Sequence, residues 1–270
     1  MAPNLLITGA SQGTGRATAL LFARQGYNVV LAARKPDRLA SVAQSIQELG
    51  RQAWAIPTDV AHEGQVKALV EQAIAVCGTI DVLVNNAGIC LSGPVEHTSI
   101  TDWEQVMGTN FWGYVYTINA LLPHFLARQL GTIVNVGSFG GKMPLPQMTA
   151  YCASKYAVSG LTESLRLELA PRGIHVCAVH PGVINSDFLE RAMFRDENEL
   201  GVASRSQNMA KILQSGLVSQ PDDIAQAIWK AVKYKGSDVV VGSTAIATEA
   251  YRLFPQLTEY FLKKGVNVTH

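Results

Sequence analysis

The feature that most constrains this chain is a recurrence of short apolar runs separated by longer amphipathic stretches. The runs are Asn4-Leu5-Leu6-Ile7-Thr8, Asn28-Val29-Val30-Leu31-Ala32-Ala33, Gln52-Ala53-Trp54-Ala55-Ile56, Asp81-Val82-Leu83-Val84-Asn85, Thr132-Ile133-Val134-Asn135-Val136, His175-Val176-Cys177-Ala178-Val179 and Asp238-Val239-Val240-Val241. They are apolar at consecutive positions, which is the pattern of strands buried on both faces. Helical patterns fill the early gaps, from about Gly13 to Gln25, Pro36 to Leu49 and Glu63 to Val76. Strands alternating with helices imply a doubly wound α/β fold with a parallel sheet. No linker or low-complexity tract interrupts the 270 residues, so a single domain is expected over 1–270. Ligands of such sheets bind beyond the carboxyl ends of the strands, where strand order reverses.

Charge narrows the choice of partner. The formal net charge is +1 and there is no basic run, which gives no reason to expect nucleic acid or an acidic membrane surface. Cys77, Cys90, Cys152 and Cys177 are scattered, without metal-ligand or redox spacing. His62, His97, His124, His175 and His270 likewise show no ligand spacing, and no metal is expected. The first strand begins almost at Met1, and no apolar run approaches the ~18 residues of a membrane span. The expected location is cytoplasmic and the expected partner is small.

The first strand runs into Thr8-Gly9-Ala10-Ser11-Gln12-Gly13-Thr14-Gly15 and then a helix. Glycines there allow a tight turn and close backbone approach, while the helix N-terminus offers unpaired N–H groups and partial positive charge to a pyrophosphate. A glycine-rich turn without a ligand is the plainer alternative, and the flanking strand and helix favour the cradle. The second strand ends Ala33-Arg34-Lys35, with cations and no carboxylate at its tip. A carboxylate would suit the free ribose hydroxyl of NAD, whereas a cation suits the 2'-phosphate of NADP. An exposed helix-start cation is the other reading of Arg34. Farther on, Tyr151 and Lys155 stand four apart on a helix, hence on one face. A nearby ammonium would favour the phenolate, so the pair reads as a tuned acid/base. By itself such a pair also occurs on solvated faces.

Taken in order, these motifs resemble the short-chain dehydrogenase/reductase family over nearly the whole chain. Thr8 to Gly15 is similar to its cofactor motif, and Asn85-Asn86-Ala87-Gly88 to the motif after its fourth strand. Asp59-Val60 resembles the pair that contacts the adenine, and Pro181-Gly182 the turn after the sixth strand. Asn110 and Ser138 match the catalytic asparagine and serine, and Tyr151 and Lys155 match the Tyr-x-x-x-Lys pair. The resemblance implies cofactor contacts at Gly9, Ser11, Gly13, Thr14, Gly15, Arg34, Lys35, Asp59, Val60, Asn86, Ala87, Gly88, Tyr151, Lys155, Pro181, Gly182, Ile184 and Ser186. Thr14 replaces a branched apolar residue common in the family, and Ser186 replaces the usual threonine. Gln12 is neutral where some NADP-using members carry a base.

The implied chemistry is hydride transfer between NADP(H) and a carbonyl or alcohol carbon. Tyr151 would be the general acid/base, with Ser138 polarising the carbonyl. Lys155 would lower the tyrosine pKa and hold the ribose, and Asn110 would anchor a proton relay. His180, beside Pro181, is assigned to structure, because the Tyr/Lys pair supplies the proton and the sequence shows no carboxylate partner for it. An irregular lid is expected over 186–219, with Phe188-Leu189, Met193-Phe194 and Met209. With Phe139, Met143, Pro144 and Leu145 it would form an apolar pocket for a hydrophobic ketone, aldehyde or secondary alcohol. The tail from 249 to 264 carries Leu253, Leu257 and Phe261 at helical spacing, which suits core cover or subunit contact more than a membrane surface. The resemblance implies a homodimer or homotetramer through helices over 102–128 and 151–170. The rival functions are an NAD-preferring alcohol dehydrogenase and a non-catalytic nucleotide sensor; the glycine spacing fits a sugar-nucleotide epimerase poorly.

Overall fold

Strand β1 (Asn4–Thr8) sets the layering of the fold. Leu5 and Ile7 enter one hydrophobic cluster and Leu6 the other, as the two-residue period of a strand requires. The computed structural model describes residues 2–184, 192–213 and 218–267. Beside β1 lie β2 (Asn28–Ala33), β3 (Ala53–Pro57), β4 (Val82–Asn85), β6 (Gly131–Val136), β7 (Ile174–Pro181) and β9 (Asp238–Val241). They form a parallel sheet in the order β3-β2-β1-β4-β6-β7-β9. Pro57, which has no N–H to give, closes the edge strand β3.

Helices α1 (Gly13–Arg24), α2 (Pro36–Glu48) and α8 (Pro221–Tyr234) cover one face. Phe22 of α1 meets Trp229 of α8 edge to face, with ring centroids 5.2 Å apart. Helices α3 (Glu63–Cys77), α5 (Gly113–Arg128) and α6 (Thr149–Leu169) cover the other, burying Leu69, Leu121 and Phe125. Buried amides cross this layer. Thr117 donates to Asn85 at 2.6 Å, Asn85 to Asn135 at 3.0 Å, and Asn135 to Thr162 at 2.9 Å. The doubly wound parallel fold read from the sequence is the fold observed. After β3 the chain returns to place β4 against β1, so the order reverses between those two strands and their carboxyl ends frame the crevice.

One expectation is corrected and one is narrowed. The segment expected to act as a lid is more regular than expected in its described residues, which contain the short strand β8 (Met193–Phe194) and helix α7 (Glu199–Leu213). β8 pairs with β5 (Leu91–Ser92), and Arg195 grips the carboxylate of Asp102 at 2.7 and 3.2 Å. Asp102 also closes the capping box of α4 (Ile100–Met107) with Ser99, so one buried carboxylate joins the two segments. Phe188 and Leu189 lie outside the described residues, as does the side chain of Met209.

The tail is two helices, α9 (Thr244–Leu253) and α10 (Pro255–Asn267). Pro255 disfavours helical backbone at the residue before it, and Phe254 is non-helical there at φ −133° and ψ 63°. It is not core cover: Leu253, Phe254, Leu257 and Phe261 are all more than half exposed. No helix among the described residues is long and apolar enough to cross a membrane.

Candidate active site

The crevice between β1 and β4 opens into a cavity of about 490 Å³. Of the sequence-predicted cofactor positions, Gly9, Ser11, Gly13, Thr14, Gly15, Arg34, Lys35, Asp59, Val60, Asn86, Ala87, Gly88, Tyr151, Lys155, Pro181, Gly182 and Ile184 line it. Ser186 lies outside the described residues.

The glycine loop is shaped as its sequence requires. Gly9 and Gly13 have φ of +66° and +52°, in the left-handed region. A Cβ on Gly15 would lie 2.1 Å from the Gly9 carbonyl oxygen, so the helix start packs directly on the turn. Asn86 ties the turn down by donating to the carbonyls of Thr8 and Gly9, and the Thr8 hydroxyl accepts from the Asn86 and Ala87 backbone. Helix α1 has no side-chain cap bond at Gln12 and no acidic residue in its first turn. Its first N–H groups therefore face the cavity mouth with the positive helix end, a fit for a pyrophosphate. At the tip of β2, Arg34 and Lys35 line the cavity. Arg38 of α2, which the sequence reading missed, hydrogen-bonds the Gln12 side chain.

The far end of the cavity holds the catalytic candidates. Ser138 follows β6, and the helix that starts at Thr149 brings Tyr151 and Lys155 over it. The Ser138 hydroxyl is near enough to the Tyr151 phenol to favour its ionisation, and Ser138 accepts from the Gly140 N–H at 3.1 Å. Lys155 Nζ donates to the Val136 carbonyl at 3.0 Å and lies 5.9 Å from the Tyr151 ring centroid. Tyr114, unread in the sequence, donates to the same carbonyl at 3.0 Å. It lies four residues after Asn110, a spacing that could have flagged it.

Asn110 occupies a π-helical turn (Gly108–Trp112) that splits α4 from α5. That turn swings its side chain inward, where it is wholly buried behind the cavity wall. It accepts from Ile89 N at 2.8 Å and donates to Ile89 O and Ser154 Oγ, each at 3.0 Å. Gly88 stands between it and Lys155; a Cβ there would lie 3.3 Å from Asn110 Oδ1 and 3.7 Å from Lys155 Nζ.

The electrostatics correct the expected tuning. Burial raises the Tyr151 pKa well above its ordinary value; proximity to Cys90 adds to the rise and the Ser138 hydrogen bond opposes it. Burial brings Lys155 down to about 8. With the ammonium turned to a backbone carbonyl, desolvation outweighs any pull it exerts on the phenol. The tyrosine is thus held protonated. Of the expected apolar pocket, Phe139 and Leu145 line the cavity, joined by Pro146 and Met148, whereas Met143 and Pro144 do not.

His180 is also corrected, because it does have a carboxylate partner. Its Nε2 lies 2.8 Å from Asp238 Oδ1, at ion-pair distance although not aligned as a linear hydrogen bond. Asp238 in turn accepts from Lys142 at 2.7 Å. Burial works to raise the Asp238 pKa, but His180 and Lys142 outweigh it and bring it to about 2. A depressed carboxylate stabilises the fold above its unfolded pKa and loses that stability as pH falls through the folded value. Between about pH 4 and 2 the protein is therefore expected to lose on the order of 1 kcal/mol through this group. Acid denaturation of Asp238→Asn, with a shallower loss over that window, checks it.

The chain matches the short chain dehydrogenase family over residues 3–197. It is 33% identical over 267 residues to the uncharacterized oxidoreductase YxnA of Bacillus subtilis (strain 168), covering 96% of this chain and 71% of that one. A short chain dehydrogenase/reductase from Burkholderia phymatum, solved in complex with NAD, aligns with a TM-score of 0.86 at 27% identity over 95% of each chain. A short-chain dehydrogenase from Sphingobium yanoikuyae in complex with NADPH aligns with a TM-score of 0.76 at 30% identity, covering 88% of this chain and 87% of that one.

Proposed function

Since this chain belongs to the short-chain dehydrogenase/reductase family of oxidoreductases, we propose that it interconverts a ketone or aldehyde and an alcohol with NADP(H) as hydride carrier. The observation that carries the reading is that Ser138, Tyr151 and Lys155 line one end of a cavity whose other end holds the glycine cradle, Arg34 and Lys35. The bound nicotinamide cofactor supplies or accepts the hydride. Tyr151, kept protonated by burial, gives its proton to the substrate oxygen during reduction, and the Ser138 hydroxyl donates a hydrogen bond to that oxygen. Lys155, brought near neutrality, passes a proton to the phenolate and holds the nicotinamide ribose. Asn110 fixes the backbone at Ile89 and anchors the water through which Lys155 is recharged. Phe139, Leu145, Pro146 and Met148 favour a hydrophobic substrate, with the segment carrying β8 and α7 as the lid.

The NADP preference rests on Arg34 and Lys35 and on the lack of a carboxylate at the β2 tip. Charge-assisted hydrogen bonds to a phosphate contribute about 1.5–3 kcal/mol each. Replacing Arg34 by Asp should therefore weaken NADPH binding by roughly 10- to 100-fold while NADH binding holds or improves. Comparative cofactor titration reads this directly. Unchanged NADPH affinity would favour the NAD-preferring alcohol dehydrogenase. The function as a whole is tested by a panel of apolar ketones and aldehydes followed at the NADPH absorbance band. Cofactor binding without turnover of any of them would favour a sensor.

Exposed Trp112, Tyr156 and Leu167, in the segments the family pairs between subunits, support assembly as a dimer or tetramer. Sedimentation velocity should show no stable monomer at micromolar concentration.

A further inference from the structure

His180 lies beneath the catalytic serine, is wholly buried, and has no part in the proton chemistry described above. Its Nδ1 is 3.2 Å from the carbonyl oxygen of Ser138, which can only accept, so the ring N–H donates there. The Gly141 N–H donates to the same oxygen at 2.9 Å. Both lone pairs of that carbonyl are thereby occupied, and the Ser138 backbone is fixed in an extended conformation. The far edge of the imidazole faces a carboxylate at ion-pair distance, without an aligned hydrogen bond from Nε2. Nε2 sits 2.8 Å from Asp238 Oδ1, and Asp238 Oδ2 takes a 2.7 Å hydrogen bond from Lys142 Nζ, which also reaches Glu163 at 3.0 Å. Asp238 comes from β9, Lys142 from the turn after Ser138 and Glu163 from α6. A row of polar groups therefore runs from the protein surface to the serine backbone. The chain makes room for it at Gly137, where a Cβ would lie 2.4 Å from the imidazole Nδ1.

We propose that His180, braced by Asp238 and Lys142, is a positioning residue for Ser138, holding its hydroxyl in register with Tyr151. The inference rests on the reading that Ser138 polarises the substrate carbonyl. A hydrogen-bond donor of this kind works only when held within a fraction of an ångström of the developing charge, and a displaced one forfeits most of its effect. Among the described residues, the Gly140 N–H and Tyr151 act on the Ser138 hydroxyl, and the His180 side chain holds the Ser138 backbone.

The test is a double-mutant cycle on the full-length protein, with NADPH and a reducible apolar ketone. His180→Leu is expected to lower kcat on the order of tenfold and leave NADPH affinity unchanged. His180→Asn, which keeps a donor near the Nδ1 position, should recover most of that loss. In a Ser138→Ala background, His180→Leu should change kcat by less than about twofold, since a positioning effect vanishes with the group positioned. Asp238→Asn, at a partly exposed site, serves if the leucine variant does not fold, and it should show the same dependence on Ser138. Wild-type kcat in His180→Leu, or the same loss in both backgrounds, overturns the inference while leaving Ser138 catalytic. Full activity of Ser138→Ala overturns the catalytic reading itself and this inference with it.

Discussion

Tyr151→Phe is expected to lower carbonyl reduction by ~10²- to 10⁴-fold, the usual contribution of a positioned general acid, and to leave NADPH binding nearly intact. The variant removes one oxygen from a ring that is otherwise buried, so the packing of α6 on the cavity is retained. What is lost is the proton source and the partner of the Ser138 hydroxyl. Steady-state turnover beside fluorescence titration of NADPH separates the two effects. A Phe variant that keeps most of its rate would remove Tyr151 from the chemistry.

Gly15→Val is expected to act at the other end of the cavity and in the opposite sense, on binding and stability before chemistry. Even the Cβ would lie 2.1 Å from the Gly9 carbonyl oxygen and 2.6 Å from Asn86 Nδ2. Neither neighbour can give way cheaply: one is backbone in a left-handed turn, and the other is held by the carbonyls of Thr8 and Gly9. Overpacking of this kind costs about 1–3 kcal/mol and occasionally more. For a chain of this size that is roughly 2–12 °C in Tm. The cradle would open as the helix start shifts, and NADPH affinity should fall by about 100-fold or more, since the pyrophosphate contacts depend on backbone position. Gly64→Ala is the control, because a Cβ there meets nothing within 4 Å. Its stability should be unchanged or slightly raised. A Gly15 variant with wild-type affinity would show that the loop is only a turn.

Much of this site is legible residue by residue because its demands are local. Gly9 and Gly13 are required by their own backbone angles, and Tyr151 and Lys155 face the same way because they are one helical turn apart. The π-turn at Asn110 was not legible. Its extra residue is stabilised by bonds to Ile89 and Ser154, both distant in sequence, and no period in Gly108–Trp112 announces it. Tyr114 was missed because its value lies in the Val136 carbonyl it shares with Lys155. The tuning of Tyr151 was misjudged because spacing reveals a neighbouring charge but not the burial that outweighs it.

The sequence by itself determined the strand and helix pattern, the doubly wound class and the glycine-rich turn, while Ser138, Tyr151 and Lys155 were singled out as a set by the family resemblance. The first three depend on periodicity or on the conformational freedom of particular residues, which neighbours along the chain specify. Only the tertiary structure decided that His180 meets Asp238, that Arg195 clasps Asp102, and that the tail turns at Pro255 and leaves Leu253, Phe254, Leu257 and Phe261 exposed. These contacts follow from which strands lie side by side. β7 adjoins β9, and β5 adjoins β8, through long-range packing that no local pattern encodes.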